Sequence, residues 1–305
     1  MSLTVAVCIT THNRRDELSR TLAALSGLNP EPDAILVAVD GCRDGTLELL
    51  REKFPHVRLL IHEQAQGSIP SRNELATACR CDVFLSLDDD SYPLEKDGIA
   101  RIRDLFTMRS RLAVASFPQR SDEFPESLTA SDLGRSQFVG SYANSGAAIR
   151  RSVFELLSGY PGFFFHAYEE PDFGLRCVAS GWQVWHDTSI TIRHHFTGTQ
   201  RNEIRTHQRH ARNEFWSILL RCPAPQCFGV ALFRIVRQLG YAWKRGLDWV
   251  VREPAWWLAA LGGISRTLVE RKPLPWAKYR AWMELVRTPI TSEEEWNAKF
   301  GAGAS

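Results

Sequence analysis

Val83-Phe-Leu-Ser-Leu87 runs straight into Asp88-Asp89-Asp90. A short apolar run closed by three carboxylates reads as a strand buried on both faces that breaks off into charge. Upstream, Leu3–Ile9, Ala34–Val39 and Val57–Ile61 have the same Val/Ile/Leu texture, and helical patterns separate them. Leu18, Leu22 and Leu25 recur at i, i+4 and i+7 ahead of Gly27 and Pro30. Leu47, Leu49 and Leu50 mark a second helix, and Pro70 stands where a first-turn proline starts a third. Strand and helix in alternation predict an α/β fold with a mostly parallel, doubly wound central sheet. Its ligand site then lies beyond the C-terminal strand ends, where Thr10-Thr-His-Asn-Arg14, Asp40-Gly-Cys-Arg-Asp-Gly-Thr46 and Asp88-Asp-Asp90 converge.

Three adjacent carboxylates repel one another, and a buried strand at their base leaves little water to screen them. A hard divalent cation, Mg²⁺ or Mn²⁺, compensates them naturally. In extended backbone Asp88 and Asp90 point to one side and Asp89 to the other. The bland alternative is a solvated acidic turn capping a helix near Pro93. After a shorter set of strands (Leu112–Phe117, Ala147–Ile149, Ile190–Ile192) the texture changes: eight of the ten tryptophans lie beyond residue 200.

Of the 305 residues 44% are apolar and 24% charged, which excludes disordered and fibrous classes. The net charge of +2 is unevenly spread. Residues 201–287 hold 16 Lys and Arg against 6 Asp and Glu, a net of +10, so the rest of the chain carries −8. Seven cysteines without a zinc-type spacing read as reduced thiols. The chain opens on a strand pattern rather than a signal peptide, and its longest later apolar run, Ala255–Ile264, is too short to span a bilayer. The expected location is cytoplasmic, at the inner face of the cell membrane if the tail touches lipid.

Five motifs together, Thr10-Thr-His-Asn-Arg14, Asp40-Gly-x-x-Asp-Gly-Thr46, Gly67-x-x-x-Ser-Arg-Asn73, Leu87-Asp-Asp-Asp-x-x-Pro93 and Glu169-Glu-Pro-Asp-Phe-Gly-Leu-Arg176, occur in the order seen in family 2 glycosyltransferases. The sequence resembles these inverting GT-A enzymes over roughly residues 3–220. The resemblance implies a catalytic domain over 1–205, with a nucleotide-binding half to about 120 and an acceptor half over 121–205. Residues 206–305 then form a helical extension. It implies that Asp40 accepts an N–H of the nucleotide base, that Thr10 and His12 line the base pocket, and that Arg14 falls on a nucleotide-sugar position. Arg72, Asp88 and Asp89 fall on nucleotide-sugar positions, and Asp90, with Asp88 and His194, on metal positions. His12 and Arg72 also read as an ordinary loop histidine and a surface helix arginine. His194 fits the metal register better than His195.

Glu170 stands where the family's general base is usually Asp, with Glu169 and Asp172 as alternates. The plain reading of all three is an acid-rich helix N-terminus. Asn144 and Glu169 match acceptor-side positions. The implied reaction is metal-dependent transfer of a sugar from a nucleotide-diphosphate donor, a UDP sugar foremost, to a hydroxyl of a glycan or lipid-linked acceptor. Competing readings are a degenerate sugar-nucleotide or membrane-binding protein and a nucleotidyltransferase. The latter is disfavoured by the absence of a glycine-rich basic loop after the first strand. Residues 228–261 mix Trp, Leu and Phe with Arg, as in helices that lie in a headgroup layer or in a soluble cap whose aromatics pack inward. No nucleic-acid motif accompanies the basic helices.

Overall fold

A computed structural model of the 305-residue chain describes residues 2–196 and 202–301. Thr197 and Gly198, which close the histidine motif, and Arg201, which opens the basic segment, lie outside the described residues.

The first part alternates as the apolar periodicity predicts: β1 (Val5–Thr11), α1 (Arg15–Leu25), β2 (Ala34–Asp40), α2 (Thr46–Lys53), β3 (Arg58–His62), α3 (Ser68–Ala78) and β4 (Val83–Asp88). Every residue of β1 is buried, because β2 and β4 flank it and helices cover the sheet. The polypeptide continues through β5 (Ser91–Pro93), α4 (Gly98–Met108), β6 (Leu112–Ser116), β7 (Gln119–Ser121), β8 (Gln137–Phe138), β9 (Ala147–Arg150), α5 (Arg151–Leu156), α6 (Glu169–Ala179), β10 (Gln183–His186) and β11 (Ile192–His194).

Eight strands form the main sheet in the order β3-β2-β1-β4-β9-β6-β10-β8. β1 with β2 and β4, β2 with β3, and β6 with β10 are parallel. β9 runs antiparallel between β4 and β6, and β8 antiparallel on the edge. A second sheet, β5-β11-β7, crosses the C-terminal end of β4. Here the sequence reading differs: β11 is Ile192–His194, two residues later than the apolar run Ile190–Ile192. Three-residue strands are set by their partners, not by periodicity.

Helices α7 (Glu203–Arg221), α8 (Gln226–Arg245), α9 (Leu247–Val250), α10 (Glu253–Gly262), α11 (Ile264–Val269), α12 (Trp276–Arg287) and α13 (Glu293–Phe300) follow. α7, α8, α12 and α13 share the core of the sheet, whereas Trp256 and Ala260 of α10 form a separate small cluster with Ala211 of α7. α12 packs on α6, where Trp282 Nε1 donates to the Gly140 carbonyl at 2.7 Å. Gly174 of α6 is equally tight, since a Cβ there would stand 2.5 Å from the Gly140 oxygen. Ile290 and Phe138 exchange backbone hydrogen bonds, and Trp296 stacks on the Phe138 ring at 4.7 Å. Trp216, Trp256, Trp282 and Trp296 are buried, each such ring contributing upwards of about 1.5–3 kcal/mol through removal from water. Trp243 and Trp257 stay exposed. The tail thus buries some of its tryptophans and leaves others exposed.

Candidate active site

The acidic strand end is built by two sheets meeting. β4 delivers Asp88 beside Thr10 of β1, and the chain turns at once into β5. β5 pairs antiparallel with β11, placing Ser91 opposite His194, while the His195 amide donates to the Asp90 carbonyl at 2.8 Å. Adjacent residues of a strand face opposite sides. His194 thus meets the acids, with its Nε2 3.3 Å from Asp90 Oδ1, whereas the His195 ring turns to Tyr92 Oη at 2.9 Å. Ligand atoms of Asp88, Asp90 and His194 all lie within 4.8 Å of one another. Two carboxylates and an imidazole at that spacing fit one divalent ion, and suit Mn²⁺ better than the all-oxygen preference of Mg²⁺. The acids do not cap a helix, because Pro93 lies in β5 and α4 begins only at Gly98.

Asp89 faces the opposite way, as extended geometry requires. It is buried, accepts from Thr11 Oγ1 at 2.8 Å and pairs with Arg14 Nε at 2.9 Å. Burial pushes its carboxyl up to about 7 against the pull of Arg14. Arg14 also pairs with Asp90. Arg72, buried in α3, reaches Asp88 Oδ1 at 2.5 Å and Glu169 Oε1 at 3.4 Å. These flanking carboxylates outweigh burial and raise its pKa, so it stays a cation. One guanidinium therefore joins the two acidic clusters.

The second cluster opens α6. The loop before it carries positive φ at Phe165, Ala167 and Tyr168, conformations that cost side-chain-bearing residues about 1–3 kcal/mol each. Asn213 of α7, fully buried, offsets this by donating to the carbonyls of Phe164, His166 and Ala167. Thus braced, the loop delivers Glu169 and Glu170 to a cavity of about 440 Å³ shared with Ser68, Arg72, Asp88, Asn144 and His166. Asn144 Nδ2 donates to Glu169 Oε1 at 3.0 Å, its amide N–H reaches Glu170 Oε1 at 3.4 Å, and Tyr160 Oη donates to its side-chain oxygen at 2.9 Å. Glu169 Oε2 is buried and accepts no hydrogen bond among the described residues. Burial, then the neighbouring Glu169, push the Glu170 carboxyl up to about 8.

Asp40 ends β2. Its carboxylate accepts from the Gln66 and Gly67 amides at 2.8 and 2.9 Å and meets His62 Nδ1 at 3.0 Å. Gly67 sits at φ +103°, with the Phe165 carbonyl 2.4 Å from where a Cβ would stand, so only glycine fits this turn. Burial disfavours a charge on His62, but Glu74 and Asp40 on its two nitrogens outweigh it and raise its pKa. His12 is exposed beside the Asp40 carbonyl, which its Nδ1 approaches, and Thr10 is buried at the end of β1.

Residues 6–169 match the family model described as glycosyl transferase family 2. The chain belongs to that family. No curated protein sequence matches it. Among solved structures, this family 2 transferase resembles the mannosyltransferase PcManGT from Pyrobaculum calidifontis, solved with GDP-Man and Mn²⁺. That likeness has 14% identity and a TM-score of 0.58, over 100% of this chain and 87% of that one. It is also similar to GalNAc-T7, solved with UDP, GalNAc and Mn²⁺, at 13% identity and TM-score 0.60, over 99% and 57% of the two chains. Residues 1–349 of S. aureus TarS, solved with UDP, align at 14% identity and TM-score 0.59 over 93% and 91%. At such identities the likeness establishes the GT-A fold.

Asp172 is the one member of the acidic motif that this family 2 chain turns away from the cavity. It is fully buried and held by Arg176 Nε at 2.8 Å, Arg221 Nε at 3.0 Å and Ser217 Oγ at 3.0 Å. Although burial opposes ionisation, the two arginines keep its pKa lowered. Asp172→Ala leaves two buried guanidiniums without their shared anion, and should lower unfolding free energy by about 3–5 kcal/mol in urea titrations. Its folded fraction should bind nucleotide as wild type does. Sequence reading missed the supports of this site: Thr11 and Thr21 behind Asp89, the latter donating its hydroxyl to the Asp89 carbonyl at 2.8 Å, His62 and Glu74 behind Asp40, and Asn213 under the α6 loop. Each is an ordinary polar residue whose partner is distant in sequence, and no local pattern flags it.

Proposed function

We propose that this family 2 transferase moves a sugar from a nucleotide-diphosphate donor, a UDP sugar foremost, to a hydroxyl of a glycan or lipid-linked acceptor, with inversion at the anomeric carbon. The observation that carries this reading is Arg72, which bridges Asp88 and Glu169 and so sets the acidic strand end and the α6 acids in one site. Asp88, Asp90 and His194 are the residues to hold a divalent ion, Mn²⁺ by their donor set. That ion supplies neutralisation of the diphosphate as it departs.

Asp40, with one carboxylate lone pair left after three contacts, accepts an N–H of the base. Thr10 and His12 line that pocket. Arg14 and Asp89 brace the strand end, and Arg72 faces the phosphates. Glu170 takes the proton of the acceptor hydroxyl. Glu169 and Asn144 hold the acceptor side, and Asp172 fixes α6 on α7. The catalytic unit is residues 1–205, and 206–305 is an extension that works at the inner face of the cell membrane during surface-polysaccharide assembly.

Incubation with UDP- and GDP-sugars should release the nucleoside diphosphate with one sugar. Release should stop on EDTA and return with Mn²⁺, and NMR of the product should show the inverted anomer. Release unchanged by chelation, or a retained anomer, would contradict the proposal.

A further inference from the structure

α8 is amphipathic in reverse. Its inward residues, at helical spacing, are Cys227, Ala231, Gln238 and Ala242, small or polar. Phe228, Leu232, Phe233, Val236 and Trp243 point outward and are 57–70% exposed. A helix of a water-soluble surface places its bulky apolar side chains on the core. α12, in the same extension, does so with Tyr279, Trp282 and Leu285. The reversal is local to one face, and α10 and α11 also expose apolar side chains, with Leu258, Leu261, Leu268 and Val269 55–86% exposed. Bulky apolar side chains left on the surface in such number mark an interaction site.

Charge selects the occupant. Residues 226–272 carry 8 Lys and Arg against 3 Asp and Glu. One of those acids, Glu253, is buried against His207 at 2.7 Å and adds nothing to the surface. Lys244, Arg252, Arg266 and Lys272 are exposed on the helices and connections that carry the apolar face. A second copy of the chain would bring like charges together. An anionic lipid surface satisfies both features, since acyl chains take the apolar stripe and headgroup phosphates take the cations. No helix among the described residues is long and apolar enough to cross a membrane, so the contact lies in the plane of the interface.

The inner side of α8 leads back to the site. Glu214 of α7, buried, accepts from Arg237 at 2.8 Å and Gln238 at 2.7 Å, and from Tyr168, the residue before Glu169, at 3.4 Å. A cavity of about 760 Å³ between α7 and α8 shares His210 with the catalytic cavity.

We infer that the outer face of α8, α10 and α11 docks the enzyme on an anionic lipid surface. The inference rests on the reading of the chain as a transferase at the membrane, and adds the face and the lipid chemistry. Flotation of the full chain with phosphatidylcholine vesicles, with and without about one third phosphatidylglycerol, tests it. The bound fraction should be about tenfold higher on the anionic vesicles and should fall steeply with added salt. The triple variant Phe228→Ser, Leu232→Ser and Trp243→Ser should stay unbound, with an unchanged melting temperature and unchanged nucleotide binding in lipid-free calorimetry. Lys244→Glu with Arg252→Glu should remove the preference for anionic lipid.

The inference is overturned if wild type floats with neither vesicle, if the triple variant floats as wild type does, or if wild type sediments as a dimer that these substitutions disperse. Calorimetry needs no lipid. Flotation without nucleotide binding would therefore spare the docking surface and count against the transferase reading.

Discussion

Glu170→Gln is expected to lower kcat by about 10³-fold while leaving nucleotide affinity within about twofold, the effect of removing a positioned general base. The substitution keeps the shape of the side chain and the Asn144 amide as donor, and it removes only the site that can hold the acceptor proton. Two further results accompany it. The carboxyl stands at about 8 in the folded chain, so its basic form is the minority at neutral pH. Wild-type kcat/KM should therefore rise with pH along a limb that flattens near 8, and the residual rate of the variant should lack that limb.

Stability should move the other way. The unfolded carboxyl releases its proton near pH 4.3, whereas the folded one keeps it to about 8, so wild type loses stability as pH rises between the two. Glu170→Gln has no proton to release. Its melting temperature should exceed that of wild type, by a margin that grows across the same interval. A glutamate whose ionised form were held by a cation, its pKa lowered in the folded chain, would give the opposite sign.

Asp90→Asn should lower kcat/KM by about 10³-fold or more and abolish the response to Mn²⁺, because the buried carboxylate charge beside His194 is lost. The fold should survive. Arg14 keeps Asp89 at 2.9 Å, and the backbone bond from His195 to the Asp90 carbonyl does not depend on the side chain. Asp89→Asn, by contrast, changes a buried carboxyl bonded to Thr11 and Arg14 outside the ligand group. It should leave the metal response largely intact, and manganese titrations of the two variants separate these roles.

Much of this arrangement is legible in the sequence because it follows from short-range rules. Apolar runs of strand length mark β1 to β4 within two residues, and alternation along a strand separates Asp88 and Asp90 from Asp89. The motif register favoured His194 over His195, and the pairing of β11 with β5 places it accordingly. What stayed hidden depends on distant partners. Asp172 looks like its neighbours in sequence, yet Arg221, 49 residues away, takes it out of the cavity. Asp40 reads as an open carboxylate, but the turn at Gly67 and the ring of His62 occupy most of it. The tail composition suited either a soluble cap or a lipid-facing helix. Only the facing of each side chain showed that α12 turns its aromatics inward while α8 leaves bulky apolar side chains exposed.

The most direct test of the central claim is calorimetric titration of UDP, GDP and dTDP into wild type and Asp90→Asn, with Mn²⁺ and after EDTA. The account predicts that one nucleotide binds wild type only with the metal and does not bind the variant. A folded wild type that binds none of the three, or binds equally well after EDTA, would contradict it.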